Sequence, residues 1–468
     1  MKLASRLLLP VLFLLVAGQL GVFLALAVPP GEVADEHNHV MRADSLLHGE
    51  VLAHRALSPV PDGVWRLQQD ADSDPALMLV AEQPALHPIT GQRWAQVDAQ
   101  RWTGSMFVPL GTIASYWPVF YVPAAAALGV AKAAGIRPFA AFHLARLANL
   151  ATFLALGLAA LLLARRGQAL LFCTLSLPMT LSLAASVNQD GLIIAASALA
   201  AALLTWPCGT PRLLAAMLLG SVAMAKPPYL PLAGVLLLPF PPWRQRRAWL
   251  ERCGLILLVG LAALSWAALA LHDVATPVLR VPAEAGPLWP GPRPAIFAGT
   301  DIRAQLGVLL ARPARLVTLP WRSLWHDPDL GRQAIGILGW LNVRLPPWLY
   351  GLWAWALAAA AVADAVGRRA GAVVLPARQA AWPLLCLVAA LLGVYLSQYL
   401  SWTAVGGAFI DGVQGRYLLP LLPILALALP SLRPLPALHA ALAALPAAAC
   451  LAGAAVLPGI VIGAYYLR

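Results

Sequence analysis

Long apolar runs without charge constrain this chain more than any other feature of it. Residues 7–28 contain no charged side chain, and a helix needs ~20 mostly apolar residues to cross the hydrocarbon core of a bilayer. Comparable runs follow near 139–164, 168–186, 191–206, 213–225, 229–241, 253–272, 347–366, 382–401, 417–430 and 437–466. The pattern predicts an all-α polytopic membrane protein with about eleven transmembrane helices. Composition agrees: of 468 residues, 60% are hydrophobic and 11% charged, against ~25% charged in soluble domains. Disorder, collagen, coiled coil and a disulfide scaffold fail on the same numbers. The first run reads as a retained anchor. Lys2 and Arg6 give it the basic start of a signal sequence, but it is longer than a typical h-region and ends in Val28-Pro29-Pro30. The two runs flanking Lys226-Pro227-Pro228 are short and broken by proline.

The net charge of +12 invites a nucleic-acid partner until its distribution is examined. With the N-terminus inside, the inner segments hold Lys2, Arg6, Arg165, Arg166, Arg212, Arg244, Arg246, Arg247, Arg252, Arg368, Arg369, Arg378 and Arg433, against only Glu251 and Asp364. The outer side keeps nineteen bases and eighteen acids. This is the positive-inside pattern, so no nucleic acid is expected. The N-terminus is then cytoplasmic, and residues 29–138 and 273–346 form two long outer loops of a single domain over 1–468. The five cysteines, Cys173, Cys208, Cys253, Cys386 and Cys450, fall in spans or near the inner face, with neither disulfide nor metal spacing.

Polar residues concentrate at the outer membrane edge. Directly after the first run come Asp35, Glu36, His37 and His39. If 34–47 is helical, Asp35 and His39 share a face one turn apart, and such a cluster suits a general base or a divalent ion. Acids in a first helical turn also complement the dipole, which is the structural alternative. Asp190, closing Ser186-Val187-Asn188-Gln189-Asp190, precedes an apolar run, where helix capping competes with function. Lys226, Arg416 and Arg146 are outer-edge cations; snorkelling explains any one, while three together suit an anion such as a lipid phosphate. Tyr116-Trp117-Pro118-Val119-Phe120-Tyr121-Val122-Pro123 reads as the start of an amphipathic helix lying in the outer interface.

Together these stretches resemble a bacterial membrane-protein family, domain of unknown function 2142, and through it the GT-C superfamily of polyprenyl-phosphate-sugar glycosyltransferases. The resemblance is carried by Pro29-Pro30-Gly31 with Asp35, Glu36 and His39; Tyr116-x-Pro118-x-x-Tyr121-x-Pro123; Ala145-Arg146-Leu147; Ala185 to Asp190; Lys226-Pro227-Pro228-Tyr229; Leu338-Gly339-Trp340-Leu341; and Gln414-Gly415-Arg416-Tyr417-Leu418-Leu419-Pro420. The family usually has Asp where this chain has Asn342, and the first outer loop is long.

The resemblance implies a GT-C-like helical bundle in the bacterial inner membrane, with interfacial helices in both outer loops. It implies an inverting enzyme of the cell envelope or surface polysaccharide. A sugar would pass from a polyprenyl-phosphate donor to the hydroxyl of a lipid or polysaccharide acceptor. Asp35 would be the base, with Glu36 as alternate, and Asp190 would position the acceptor or help hold a metal. Lys226 and Arg416 would hold the phosphate, with His39, Tyr116, Tyr121, Arg146, Gln414 and Tyr417 lining the substrate site. Asp35, His39 and Asp190 are the candidate ligands of a divalent ion. Three rivals stand beside this expectation: a transporter or lipid flippase, a polysaccharide polymerase or ligase, and a non-enzymatic relative.

Overall fold

The first apolar run becomes a helix, as its composition requires, and the question for each later run is whether lipid or protein surrounds it. The computed structural model describes residues 2–59, 65–81, 89–207, 209–276, 279–280, 297–367, 375–430, 432 and 435–467. Among them, six helices are long and apolar enough to cross a membrane: Leu7–Ala27, Pro138–Leu163, Arg246–Asp273, Pro347–Val366, Arg378–Ser401 and Pro436–Tyr465. Cys208, Arg368, Arg369 and Arg433 lie outside the described residues, as do parts of both long loops.

The other five runs fall short of the expected crossings. One is split into Gln168–Ser176 and Pro178–Ala184. Asp190–Leu203 has 14 residues, about 21 Å of helix, and Gly209–Ala225 has 17. Pro227–Leu237 is a 3-10 helix; Gly415–Leu421 is another, continued by the α-helix Leu422–Ala428. The physical reason is burial. Every residue of Asp190–Leu203 except Leu199 is buried, and a helix apolar on all sides can be wrapped by protein as well as by lipid. Hydropathy does not separate the two.

Charges at the other end of the bundle have structural partners. Asp364 accepts hydrogen bonds from the Ala169 and Leu170 N–H groups at 3.2 and 2.8 Å, capping the helix that starts at Gln168. Arg166 donates to the Ala426 and Leu429 carbonyls, and Arg252 donates to those of Leu237 and Pro239.

The long segment between the first two of these six helices corrects the all-α expectation. His54–Pro59, Trp65–Ser73 and Met106–Pro109 form an antiparallel three-stranded sheet, pairing Leu57 with Leu67 and Ala71 with Val108. Around it a second core gathers Val40, Met41, Leu77, Val80, Val108, Tyr121, Leu128 and Phe142. The Tyr-Pro segment forms a 3-10 turn, Pro118–Tyr121, leading into the helix Val122–Ala133. The second loop contributes Ile302–Ala311, capped by the Asp301 carboxylate, then Arg315–His326 and Leu330–Gly336. Arg315–His326 buries Leu319 and Ser323 while exposing Val317, Trp321 and Trp325.

Candidate functional site

Two carboxylates adjacent in sequence meet opposite environments because the backbone turns between them. Asp35 is left-handed, at φ 65°, immediately before the helix Glu36–Ser45. It is the residue that precedes the helix, but its side chain makes no capping hydrogen bond. The expected helical face shared by Asp35 and His39 is also replaced: Asp35 stands outside the helix, and only its carbonyl reaches the His39 N–H, at 3.1 Å.

Glu36 points inward and is fully buried with Arg146. Arg146 offers one edge of its guanidinium to a single carboxylate, Nε to Glu36 Oε1 at 2.7 Å and Nη2 to Oε2 at 2.5 Å. It also donates to the Ala25, Val28 and Pro29 carbonyls, the free acceptors at the end of the first span. Glu36 further accepts from the Gly31 and Val187 N–H groups at 3.3 and 3.1 Å. The pair ties the exit of the first span to the Ser186–Asp190 turn. Neither side chain has any exposed surface in this arrangement. Nearby, Glu32 is pushed up to about 8 by burial and by the Glu36 charge, against the opposing charge of Arg146.

Asp35, Arg416, Asp190 and Lys226 come together as a chain of alternating charge. Arg416 Nη2 donates to Asp35 Oδ2, and Arg416 Nε lies 3.8 Å from Asp190 Oδ2. Asp190 Oδ1 accepts from Lys226 Nζ at 2.5 Å. The Tyr417 ring lies beside both cations, 4.6 Å from Lys226 Nζ and 5.4 Å from the Arg416 guanidinium carbon. The Tyr229 hydroxyl holds Tyr417 by its carbonyl at 2.7 Å. Asp190 does not act as a side-chain cap: the residue preceding its helix is Gln189, and Asn188 Oδ1 accepts the Asp190 N–H at 2.8 Å. Side-chain exposure rises along the set, from 5% for Arg416 and 6% for Asp190 to 15% for Lys226 and 36% for Asp35.

Electrostatics follow that geometry. Burial pushes Asp35 up, but the charge and hydrogen bond of Arg416, with His39 and His37, outweigh it and hold the carboxyl below its ordinary value. His39 is driven down to about 3 by burial, against the pull of Asp35 and Asp190, so its imidazole is neutral at pH 7. Its Nδ1 shares a 2.6 Å hydrogen bond with the Tyr121 hydroxyl, and the two rings stack at 5.7 Å. Tyr116 lies 6.3 Å from His39 by ring centroids, and burial holds its phenol well above the usual range.

The proposed metal ligands do not form a set. Among the described residues no three His, Cys, Asp or Glu side chains are grouped to hold an ion; Asp35 and Asp190 face cations, and His39 faces Tyr121.

Two further residues of the site went unassigned in the sequence. Gln333 accepts the Gly415 N–H at 2.9 Å and donates to Asp327 at 3.0 Å, fixing the turn that carries Arg416. Gly415 is required there, because a Cβ would stand 2.3 Å from the Ala334 nitrogen. Trp340 donates to the Gly31 carbonyl at 2.9 Å and lies 5.8 Å from His37. Asn342 closes the Trp340 turn by accepting its N–H at 3.1 Å, a bond an aspartate could make equally. Trp340 had a signal, its Gly-Trp-Leu motif; Gln333 had none. Gln414, beside them, is half-buried with no partner for Oε1.

A family model described as "Predicted membrane protein (DUF2142)" matches residues 19–425 of the chain. No curated protein matches, and no solved structure does.

Proposed function

From the premise that the chain belongs to the DUF2142 family of predicted membrane proteins, we propose that it is a membrane glycosyltransferase of the GT-C type. It would use a polyprenyl-phosphate sugar at the outer face of the bacterial inner membrane, with its N-terminus in the cytoplasm. The observation that carries this reading is the meeting of Asp35, Asp190, Lys226 and Arg416, which four separate chain segments deliver to one place.

The chemistry needs a base and an anion clamp. Asp35 takes the proton of the acceptor hydroxyl as its oxygen forms a bond to the anomeric carbon from the face opposite the phosphate. The bond from that carbon to the phosphate oxygen breaks, and the phosphate leaves with the electron pair, inverting the anomeric centre. Lys226 and Arg416 stabilise the departing charge, and Asp190 holds Lys226 in place. Asp35 is the most exposed of the four, as a group meeting an incoming acceptor must be. Products of this reaction are a glycosylated lipid or polysaccharide of the cell envelope and a free polyprenyl phosphate.

Reconstituted protein, supplied with a radiolabelled polyprenyl-phosphate sugar and membrane-extracted acceptors, should release polyprenyl phosphate. Asp35→Asn should slow that release by ~10²–10⁴-fold, the usual cost of losing a general base. A variant with unchanged turnover removes Asp35 from the reaction.

A further inference from the structure

Arg416 and Arg146 use the same guanidinium edge in different ways. Arg146 gives Nε and Nη2 to the two oxygens of one carboxylate. Arg416 divides that edge between two carboxylates, with Nη2 on Asp35 and Nε 3.8 Å short of Asp190. The Arg416 Nε is buried and has no hydrogen-bond acceptor, although a guanidinium edge matches two oxygens of a single carboxylate or phosphate. The four charges cancel, so an anion can enter only if one carboxylate gives way.

The two carboxylates are not equally free to do so. Asp190 is 6% exposed and bonded to Lys226 at 2.5 Å. Its backbone is fixed in the first turn of Asp190–Leu203, with its N–H held by Asn188. Asp35 has 36% of its side chain exposed. It occupies the junction between the loop and the helix, and makes no capping bond.

Resting on the reading of this site as a phosphate site, we infer that Asp35 is a displaceable counter-ion: the donor phosphate takes its place on the Nε and Nη2 edge of Arg416, and the displaced carboxylate becomes the base. Before donor binding, Arg416 depresses the basicity of Asp35. Once phosphate neutralises Arg416, that depression is relieved, so the base is competent only when the sugar is in place. Donor binding and base activation become one event.

The test is a binding measurement that needs no turnover. Farnesyl phosphate is titrated into the purified full-length protein in nanodiscs, with farnesol as the phosphate-free control and inorganic phosphate as the chain-free one. Asp35→Asn removes the competitor, and Asn tolerates the left-handed backbone at this position, so the fold is kept; unchanged thermal unfolding verifies this. The variant should bind farnesyl phosphate about 10- to 100-fold more tightly than wild type, the equivalent of one hydrogen bond to a charged group. Arg416→Gln should lose binding, and Asp190→Asn should show no such gain. Farnesol should be indifferent to Asp35→Asn, and inorganic phosphate should follow farnesyl phosphate if the phosphate alone displaces Asp35. Equal or weaker farnesyl phosphate binding by a folded Asp35→Asn protein overturns the displacement while leaving the phosphate site standing. Wild-type binding that ignores Arg416→Gln overturns both.

Discussion

Glu36→Gln should unfold this protein far more readily than Asp35→Asn, although the two carboxylates are neighbours. The Glu36 carboxylate accepts four hydrogen bonds: two from Arg146, at 2.7 and 2.5 Å, and one each from the Gly31 and Val187 N–H groups. Each oxygen serves two donors. A glutamine amide must place its NH2 at one of those positions, where it meets two donors and accepts from neither. Arg146 would keep its three carbonyls but lose the carboxylate it is bonded to, in a site with no exposed surface. Breaking a buried pair by removing one charge costs about 3–5 kcal/mol, whereas replacing both partners with apolar residues is often close to neutral. Thermal unfolding in matched detergent should therefore show a large loss for Glu36→Gln. Here the Glu36→Met, Arg146→Met double variant should recover little of it, because the Ala25, Val28 and Pro29 carbonyls and the Gly31 and Val187 N–H groups lose their partners. Unfolding of membrane proteins is commonly irreversible, so half-lives at one temperature are the fair comparison. If Glu36→Gln is as long-lived as wild type yet loses transfer, Glu36 belongs to the reactive set and the division between frame and site is wrong.

Two further outcomes are expected. His39 stays neutral in the fold down to about pH 3, while the unfolded chain takes up that proton near pH 6.5; stability therefore falls as pH is lowered through that window. His39→Gln should flatten the decline between pH 6.5 and 4, and unchanged pH slopes would dismiss His39 as its source. A reporter joined after Gln69, in the first outer loop, should be active only as a periplasmic marker, and cytoplasmic activity there reverses the orientation.

The residues of the candidate site were legible because each lies in a local motif that hydropathy places at the same membrane edge. Their division into two pairs was not. Asp35 and Glu36 look interchangeable in sequence, and only the left-handed turn at Asp35 sends one to Arg416 and the other to Arg146. The small sheet was hidden for a different reason. Among the described side chains of its central strand, Gln69, Ala71 and Ser73 are buried, so over 69–73 the inward positions are mostly polar and give a period-2 search little to detect. Gln333 reaches Gly415 across 82 residues, and nothing near it in sequence marks that contact.

The shortfall in helix length carries information of its own. In a bilayer every backbone polar group needs an internal partner, so short, broken or 3-10 segments persist only where protein surrounds them or a cavity opens. Three of the four charges in the site lie at the ends of such segments. Asp190 heads a 14-residue helix, Lys226 precedes the proline break before Pro227–Leu237, and Arg416 sits in the 3-10 turn Gly415–Leu421. Arg146 is the contrasting case. It lies within the long helix Pro138–Leu163, and there Glu36 and three carbonyls satisfy it. A cation inside a long span is costly to hold and is usually paired with an acid or with backbone carbonyls. One at the end of a buried short helix can keep part of its hydrogen-bonding capacity unmet, as Arg416 does at Nε. Short or broken apolar runs packed inside the protein are thus where a chain of this kind can keep charge available for a substrate.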